Sequence, residues 1–232
     1  ESNLQDGHEL NVVMTGSITN VGSVMNMALV YVYDENRVDV SEEYDITISL
    51  GMLTVVERSL TIFTESDSKT YDGEALTCET WDLIDDTSVA PNQTYEVKAI
   101  GSLTDVGSVK NIASVTIKDK NGLDATHNYD ISSDYYYGTL TVTKRPLKIQ
   151  TGSADRTYNG EALTHEVWEF LDGTEVVAGQ TYEVEFVGTI TNAGTAKNIA
   201  HVTVFDQNDV NVTSNYEVKV EYGTLTVLKR RL

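Results

Sequence analysis

The sequence repeats itself with a period of 87 residues, and this period restricts the fold more than any other feature. Tyr71 and Tyr158 open the phrases YDGEALT and YNGEALT, and Trp81 and Trp168 follow at the same spacing. A unit of this length exceeds the roughly 20–45 residues of a solenoid repeat. It suits a small domain. We therefore expect tandem domains, each with a core of its own.

The repeat divides the 232 residues into three parts. Residues 59–145 and 146–232 are each predicted to form a complete β repeat domain. Residues 1–58 follow only the later part of the pattern, since ELNVVMTGSITNVGSV aligns with TYEVKAIGSLTDVGSV. They are interpreted as a partial N-terminal repeat that lacks its first third.

Apolar and polar residues alternate with the two-residue period of a β-strand. In residues 139–143, TLTVT, Leu140 and Val142 share one face and the threonines the other. Turn phrases such as TNVG, TDVG and TNAG separate the strands. The pattern predicts an all-β chain of small Ig-like β-sandwich domains. A β-grasp-like repeat domain is the alternative, but it requires a packed helix.

The joints between repeats are short. TVVER-SLTI and TVTKR-PLKI leave almost no residues between the last strand of one repeat and the first strand of the next. They contain no Gly/Ser-rich linker of the flexible kind. The sequence therefore predicts a stiff, elongated rod.

The charge and composition exclude several classes of partner. A formal net charge of −20 repels phosphate backbones and anionic membrane surfaces, so no nucleic-acid partner is expected. No apolar run approaches the ~20 residues that span a bilayer, so no membrane insertion is expected of this segment. A signal peptide and an anchor would lie outside it.

The sequence predicts no catalytic residue. The four histidines do not recur between repeats, and the G-x-S-x-G and H-E-x-x-H motifs are absent. The single cysteine, Cys78, takes the position of His165, which indicates a half-exposed strand site rather than a nucleophile. Lys148 is matched by Thr61, which argues against a recurring Lys–Asn isopeptide crosslink. The chain is therefore predicted to be non-enzymatic.

Aromatic side chains are the candidate ligand-binding groups. Trp81 and Trp168 recur, which is typical of core packing, although exposed indoles would also stack on sugar rings. Tyr135, Tyr136 and Tyr137 lie in a two-residue insertion of the second repeat. Because consecutive strand residues face opposite ways, at least one of these rings is predicted to meet solvent. The three tyrosines form the candidate contact patch, and the two tryptophans are the alternative ligand-binding residues.

An acidic turn recurs as DENRVD, DKNGLD and DQNDVN. Oxygen-bearing side chains at alternating positions are typical of calcium ligands, but D-x-N-G is also a hairpin signature. We favour plain turns and no cofactor, with Ca²⁺ as the alternative. The candidate ligands are Asp34, Asn36, Asp39, Asp119, Asn121, Asp124, Asp206, Asn208 and Asn211.

Four phrases together, KTYDGEALT, GSLTDVGSVKNIASVTIKD, NYDI and YGTLTVTKR, resemble the YDG/MBG-type repeats of bacterial extracellular proteins, mostly Gram-positive. The resemblance covers both complete repeats and the partial one, which departs from it by lacking the YDG segment. It implies tandem repeats in large, wall-attached surface proteins that act as stalks or adhesive modules, and it brings no catalytic residues.

The expected function is thus a non-enzymatic stalk or adhesive region of an extracellular bacterial surface protein. A carbohydrate-binding module region is the alternative. The expected partners are neighbouring repeats of the same polypeptide and a host or dietary glycan or protein. Because residues 1–58 lack their first strands, an open sheet edge there is also predicted to permit strand-mediated self-association.

Overall fold

A computed structural model describes residues 3–84, 87–131 and 136–232 of the chain. These residues form β-strands joined by turns. Their only helical segments are three-residue 3₁₀ turns at Ser41–Glu43, Thr126–Asn128 and Thr213–Asn215. The predicted all-β fold is confirmed, and it is consistent with a β-sandwich, whereas the described ranges lack the helix of a β-grasp. They also hold no helix that combines the length and hydropathy of a membrane span.

The partial first repeat folds into two antiparallel strand pairs. In the first pair β1 lies against β3, and in the second β2 lies against β4. The strands are β1 (Glu9–Met14), β2 (Gly22–Met25), β3 (Ala28–Tyr33) and β4 (Met52–Val55).

The second repeat contains shorter strands, which follow the alternating pattern of its sequence. They are β5 (Arg58–Ser59), β6 (Ile62–Thr64), β7 (Asp67–Thr70), β8 (Trp81–Leu83), β9 (Thr94–Ala99), β10 (Gly107–Lys110), β11 (Ala113–Lys118), β12 (Tyr129–Asp130) and β13 (Thr139–Thr143). Strand β13 is the centre of a three-stranded sheet, with β10 antiparallel on one side and β7 parallel on the other.

The third repeat shows the same plan at greater length. Its strands are β14 (Arg145–Thr151), β15 (Ala154–Thr157), β16 (Trp168–Phe170), β17 (Thr181–Phe186), β18 (Gly194–Lys197), β19 (Ala200–Phe205), β20 (Tyr216–Glu221) and β21 (Thr224–Leu228). They form sheets ordered β16-β14-β20 and β15-β21-β18, and β17 pairs with β19.

Strands at the start of a complete repeat pair in parallel with strands at its end, which the sequence pattern did not indicate. In the third repeat, β14 runs parallel to β20 from Arg145↔Tyr216 to Gln150↔Glu221. Strand β15 then runs parallel to β21. The second repeat pairs β5 with β12 and β7 with β13 in the same sense. The chain therefore enters and leaves a repeat along neighbouring strands.

A buried asparagine holds these strands together where they bend. Nδ2 of Asn198 donates to the carbonyl oxygens of Gly152 (3.0 Å) and His165 (2.7 Å), and the residue is fully buried. The backbone carbonyl of Asn198 accepts from Oγ1 of Thr151, which in turn accepts from the N–H of Gly223. Each bend thus has its backbone groups paired away from water, as buried polar groups require.

The same arrangement recurs around Asn111 in the second repeat. Its Nδ2 donates to the carbonyls of Glu65 (3.0 Å) and Cys78 (2.9 Å), and Thr64 takes the role of the threonine. A Cβ added at Gly101 would lie 2.5 Å from Oδ1 of Asn111, so this glycine makes room for the amide. The recurring asparagine of the sequence is therefore a strand-bridging residue.

The chain divides into two compact units. The first comprises Glu1–Ile62, Leu83–Val97 and Val115–Tyr135, and the second comprises Phe63–Asp82, Lys98–Ser114 and Tyr136–Leu232. The core of the first unit is formed by Leu60, Ile117, Ala125 and Tyr129. The units are offset from the sequence repeats, because the second repeat contributes segments to both.

The main core of the second unit draws on two repeats. Tyr71 and Leu140 of the second repeat pack in one cluster with Leu147, Val204 and Tyr216 of the third. This differs from the expectation of a separate core for each repeat. The physical reason is that a sheet of three- to five-residue strands leaves apolar side chains at its end, which the next repeat covers.

Candidate functional site at the junction between repeats

An asparagine side chain of one repeat binds the turn of the preceding repeat. Oδ1 of Asn215 accepts from the N–H of Val106 (2.9 Å), and its Nδ2 donates to Oδ1 of Asp105 (2.8 Å). Asp105 and Val106 belong to the turn phrase TDVG, and Asn215 is buried. Both functional ends of one amide therefore recognise a single turn.

The same link occurs one repeat earlier, within the first compact unit. Oδ1 of Asn128 accepts from the N–H of Val21 (2.7 Å), and its Nδ2 donates to Oδ1 of Asn20 (3.2 Å). Asn20 and Val21 belong to TNVG, the matching turn of the first repeat. The contact is thus a property of the repeat and not of one position.

Two tyrosines and a glutamine form a second link in the second unit. Nε2 of Gln180 donates to the hydroxyl of Tyr71 (2.8 Å), and the hydroxyl of Tyr216 donates to Oε1 of Gln180 (2.6 Å). The two rings pack edge to face, with centroids 5.6 Å apart. Burial raises the pKa of Tyr216, so its hydroxyl stays protonated and available as a donor.

An open cavity of about 490 Å³ lies beside this link. Tyr71 and Gln180 form part of its wall, together with the carboxylates of Asp72, Asp105 and Asp206. These carboxylates give the cavity a negative charge that disfavours anionic ligands. The described residues contain no group of three His, Cys, Asp or Glu side chains that would hold a metal ion.

The five candidate aromatic residues differ in exposure. Tyr135 lies outside the described residues, and Tyr136 is exposed. The hydroxyl of Tyr137 donates to the carbonyl of Ala113 (3.3 Å), which turns that ring toward the protein. The two tryptophans are half-buried on β8 and β16.

Trp168 belongs to a small aromatic cluster on the third repeat. Its indole packs edge to face on Phe170 (4.9 Å between centroids) and on Tyr182 (5.4 Å). Tyr182 remains 40% exposed. Packing therefore occupies part of the indole, and Tyr182 offers the more accessible ring.

The nine candidate calcium ligands take part in turn hydrogen bonds. Oδ1 of Asp119 accepts from the N–H groups of Asn121 (2.8 Å) and Leu123 (2.9 Å). Asp34 and Asp206 make the same pair of contacts in the other repeats. At the end of each turn, Asp39, Asp124 and Asn211 accept from the N–H two residues later. The prediction of no cofactor and its alternative, calcium binding, both stay predictions.

These contacts hold the turn carboxylates in their ionised form. The backbone N–H of Leu123 lowers the pKa of Asp119, and that of Val210 lowers the pKa of Asp206. A hydrogen bond to the charged form favours that form. The repeated Asp thus stabilises a turn through its charge.

The groups considered for catalysis take part in unrelated contacts. Cys78 is a half-buried free thiol that packs against the cluster around Tyr71, and it lies outside the strands, contrary to the predicted strand position. His8 contacts the hydroxyl of Tyr44 (2.9 Å). Lys148 pairs with the exposed carboxylate of Asp172 (2.6 Å). None of these contacts is a nucleophile–base pair.

The first repeat exposes an apolar groove. Leu10, Val12, Met14 and Ile48 line it, and each side chain is more than 40% exposed. In the third repeat, β14 lies against β20, but residues 44–50 of the first repeat form no strand. The groove therefore runs along a segment that matches β20, the partner of β14 in the third repeat.

No family model matches the chain, and no curated protein sequence matches it.

Proposed function

We propose that the chain is a non-enzymatic stalk of an extracellular bacterial surface protein. Its repeats bear mechanical load and contact one another through their junctions. The same repeats also serve as adhesive modules. The proposal rests on the residues that recur between repeats. Those with defined contacts stabilise the fold or the junction between repeats. The phrases shared with YDG/MBG-type repeats support the extracellular location.

The parallel pairing of strands at the start of a repeat with strands at its end is the observation that carries this proposal. A force on the two ends of the third repeat acts along β14 and β21, in opposite directions. Six residue pairs join β14 to β20, and four join β15 to β21. The hydrogen bonds of such a ladder share the load and must break together. This geometry suits a stalk under tension.

The junction supports the same role. Asn215 and Gln180 bind the end of the second repeat, and the apolar cluster around Tyr71 lies between them. Pulling the third repeat away from this end therefore exposes buried apolar surface and unpaired polar groups. Both effects oppose separation.

Single-molecule pulling of the third repeat tests the proposal. Cysteine handles replace the exposed residues Lys144 and Lys229, with Cys78→Ala to remove the native thiol. In the control, the handles replace Lys144 and Glu217, which lie near the start of paired strands β14 and β20. We expect a severalfold higher unfolding force for the first geometry, which shears the ladder. Equal forces would refute a load-bearing arrangement.

A carbohydrate-binding region is the second candidate, and the exposed rings of Tyr136 and Tyr182 favour it. Exposed aromatic rings stack on sugars without a metal or a charged ligand. A glycan array tests this role. Saturable binding that Tyr136→Ala or Tyr182→Ala removes would establish the module, whereas Tyr158→Ala serves as an exposed-tyrosine control. An absence of binding on the array favours the stalk role alone.

We also propose that the groove of the first repeat takes up a β-strand from a second molecule. Its exposed Leu10, Val12 and Met14 support this self-association. Sedimentation of the full chain at rising concentration measures it. We expect association that Val12→Asp weakens and that Val210→Asp, an exposed control, leaves unchanged; a monomer at all concentrations would refute it.

A further inference from the structure

Matching tyrosines of the second and third repeats differ in exposure. Tyr71 is 3% exposed and Tyr158 is 40% exposed, although YDGEALT and YNGEALT place both rings in the same phrase. The sheet before each phrase is also the same, since β15-β21-β18 corresponds to β7-β13-β10. The difference therefore comes from what lies over the ring.

The third repeat covers the ring of Tyr71. Gln180 binds its hydroxyl, and the Tyr216 ring packs against its edge. A Cβ added at the neighbouring Gly73 would lie 3.2 Å from Cγ1 of Val177. The cover thus consists of one tyrosine, one glutamine and one valine at fixed positions of a repeat.

The corresponding end of the third repeat is open. A Cβ added at Gly160, which matches Gly73, would meet no atom within 4 Å. Within the described residues, the N–H of Ala193 has no acceptor, although the matching N–H of Val106 donates to Asn215. We call Tyr158, Gly160, Asn192 and Ala193 the end patch.

We propose that the end patch docks another repeat of the same kind, which supplies a Gln, a Tyr and an Asn at the positions of Gln180, Tyr216 and Asn215. The existing junction shows which groups fit. The glutamine bridges the new tyrosine to Tyr158, and the asparagine accepts from Ala193 and donates to Asn192. This docking does not depend on the role as a stalk.

The first repeat of a second chain fits the end patch less well. It places His8 against Tyr44, where the later repeats have a glutamine against a tyrosine. Glu43 stands at the position of Asn215, and its carboxylate side chain has no N–H to donate to Asn192. The proposed occupant is therefore a repeat with the full set, joined in the same polypeptide.

An extended chain tests the proposal. A second copy of residues 146–232 replaces Arg231 and Leu232, which restores the Lys-Arg-Pro-Leu joint found at residues 144–147. The added copy carries Glu161→Asp, so that mass spectrometry separates its tyrosine peptide from that of the original repeat. Tyrosine nitration then reports the exposure of each ring.

We expect Tyr71 to be protected and Tyr158 to react in the 232-residue chain. In the extended chain, nitration of Tyr158 falls by at least about tenfold, and the matching tyrosine of the added copy reacts instead. Unchanged reactivity of Tyr158 would overturn the proposal. Circular dichroism confirms that the added repeat is folded.

A matched variant tests the recognition itself. Gln180→Ala together with Asn215→Ala in the added copy alone restores the reactivity of Tyr158. Protection that persists in this variant would overturn the assigned contacts. Protection in the 232-residue chain that rises with protein concentration would assign the end patch to a second molecule and overturn the proposed occupant.

Discussion

Asn215→Ala removes the side chain that binds the third repeat to the TDVG turn of the second. The N–H of Val106 loses its acceptor, and Oδ1 of Asp105 loses a donor. Asn215 is 2% exposed, so water does not readily take its place. The substitution therefore tests whether the junction contributes to the stability of the second compact unit.

The size of the effect follows from these two contacts. A partly buried N–H left without an acceptor costs about 1–3 kcal/mol. The bond to Asp105 adds less, because that carboxylate is exposed and water replaces the donor. We expect the free energy of unfolding to fall by about 2 kcal/mol. Asn215→Asp keeps the acceptor but sets a second carboxylate against that of Asp105, and the two like charges repel.

Guanidinium unfolding followed by tryptophan fluorescence measures this loss, since Trp81 and Trp168 both belong to the second unit. Amide hydrogen exchange at Val106 gives the local effect. Asn128→Ala makes the matching change in the first unit and should leave exchange at Val106 unaltered. A loss below about 0.5 kcal/mol for Asn215→Ala, the range of an ordinary surface substitution, would refute the reasoning.

Four further outcomes are expected. Asn198→Ala lowers the free energy of unfolding by about 2–4 kcal/mol in guanidinium titrations, because two carbonyls lose their buried donor. Arg37→Gly raises it by about 0.5–1 kcal/mol, since Arg37 has a φ of 61°, and Gly122→Ala at the matching turn lowers it; thermal melts compare the two. The backbone N–H of Leu123 lowers the pKa of Asp119 in the folded chain. The stability that this carboxylate contributes is therefore complete above about pH 3.9, the pKa of an unfolded Asp, and is lost as the pH falls through the lower pKa of the folded state. In an acid titration, the free energy of unfolding should depend less steeply on pH for Asp119→Asn. Calcium or a chelator leaves the melting temperature unchanged, whereas an increase abolished by Asp119→Asn would establish a metal site.

The local features of the fold are the ones that could be predicted. Alternation around Leu140 and Val142 indicated β13, and both side chains are buried as that pattern requires. The D-x-N turns form as Asx turns at Asp34, Asp119 and Asp206. These features depend on residues within about four positions, whose backbone preferences are written in the local sequence.

The candidate site was less accessible to prediction. The sequence indicated no partner for the side chain of Asn215. Asn215 reaches a turn more than 100 residues away, and Gln180 had been given no role. Alignment of the repeats was the one signal that pointed to Asn215, since it recurs as Asn128.

The sequence by itself determined the period, the strand pattern, the turn chemistry and the charge. Only the tertiary structure decided that strands at the start and the end of a repeat pair in parallel, and that Tyr71 is buried while Tyr158 is exposed. The two tyrosines have nearly identical neighbours along the chain, so no local rule separates them. Their difference comes from a repeat that packs over one ring and not the other, because burial depends on contacts between residues as distant as Tyr71 and Gln180, 109 positions apart.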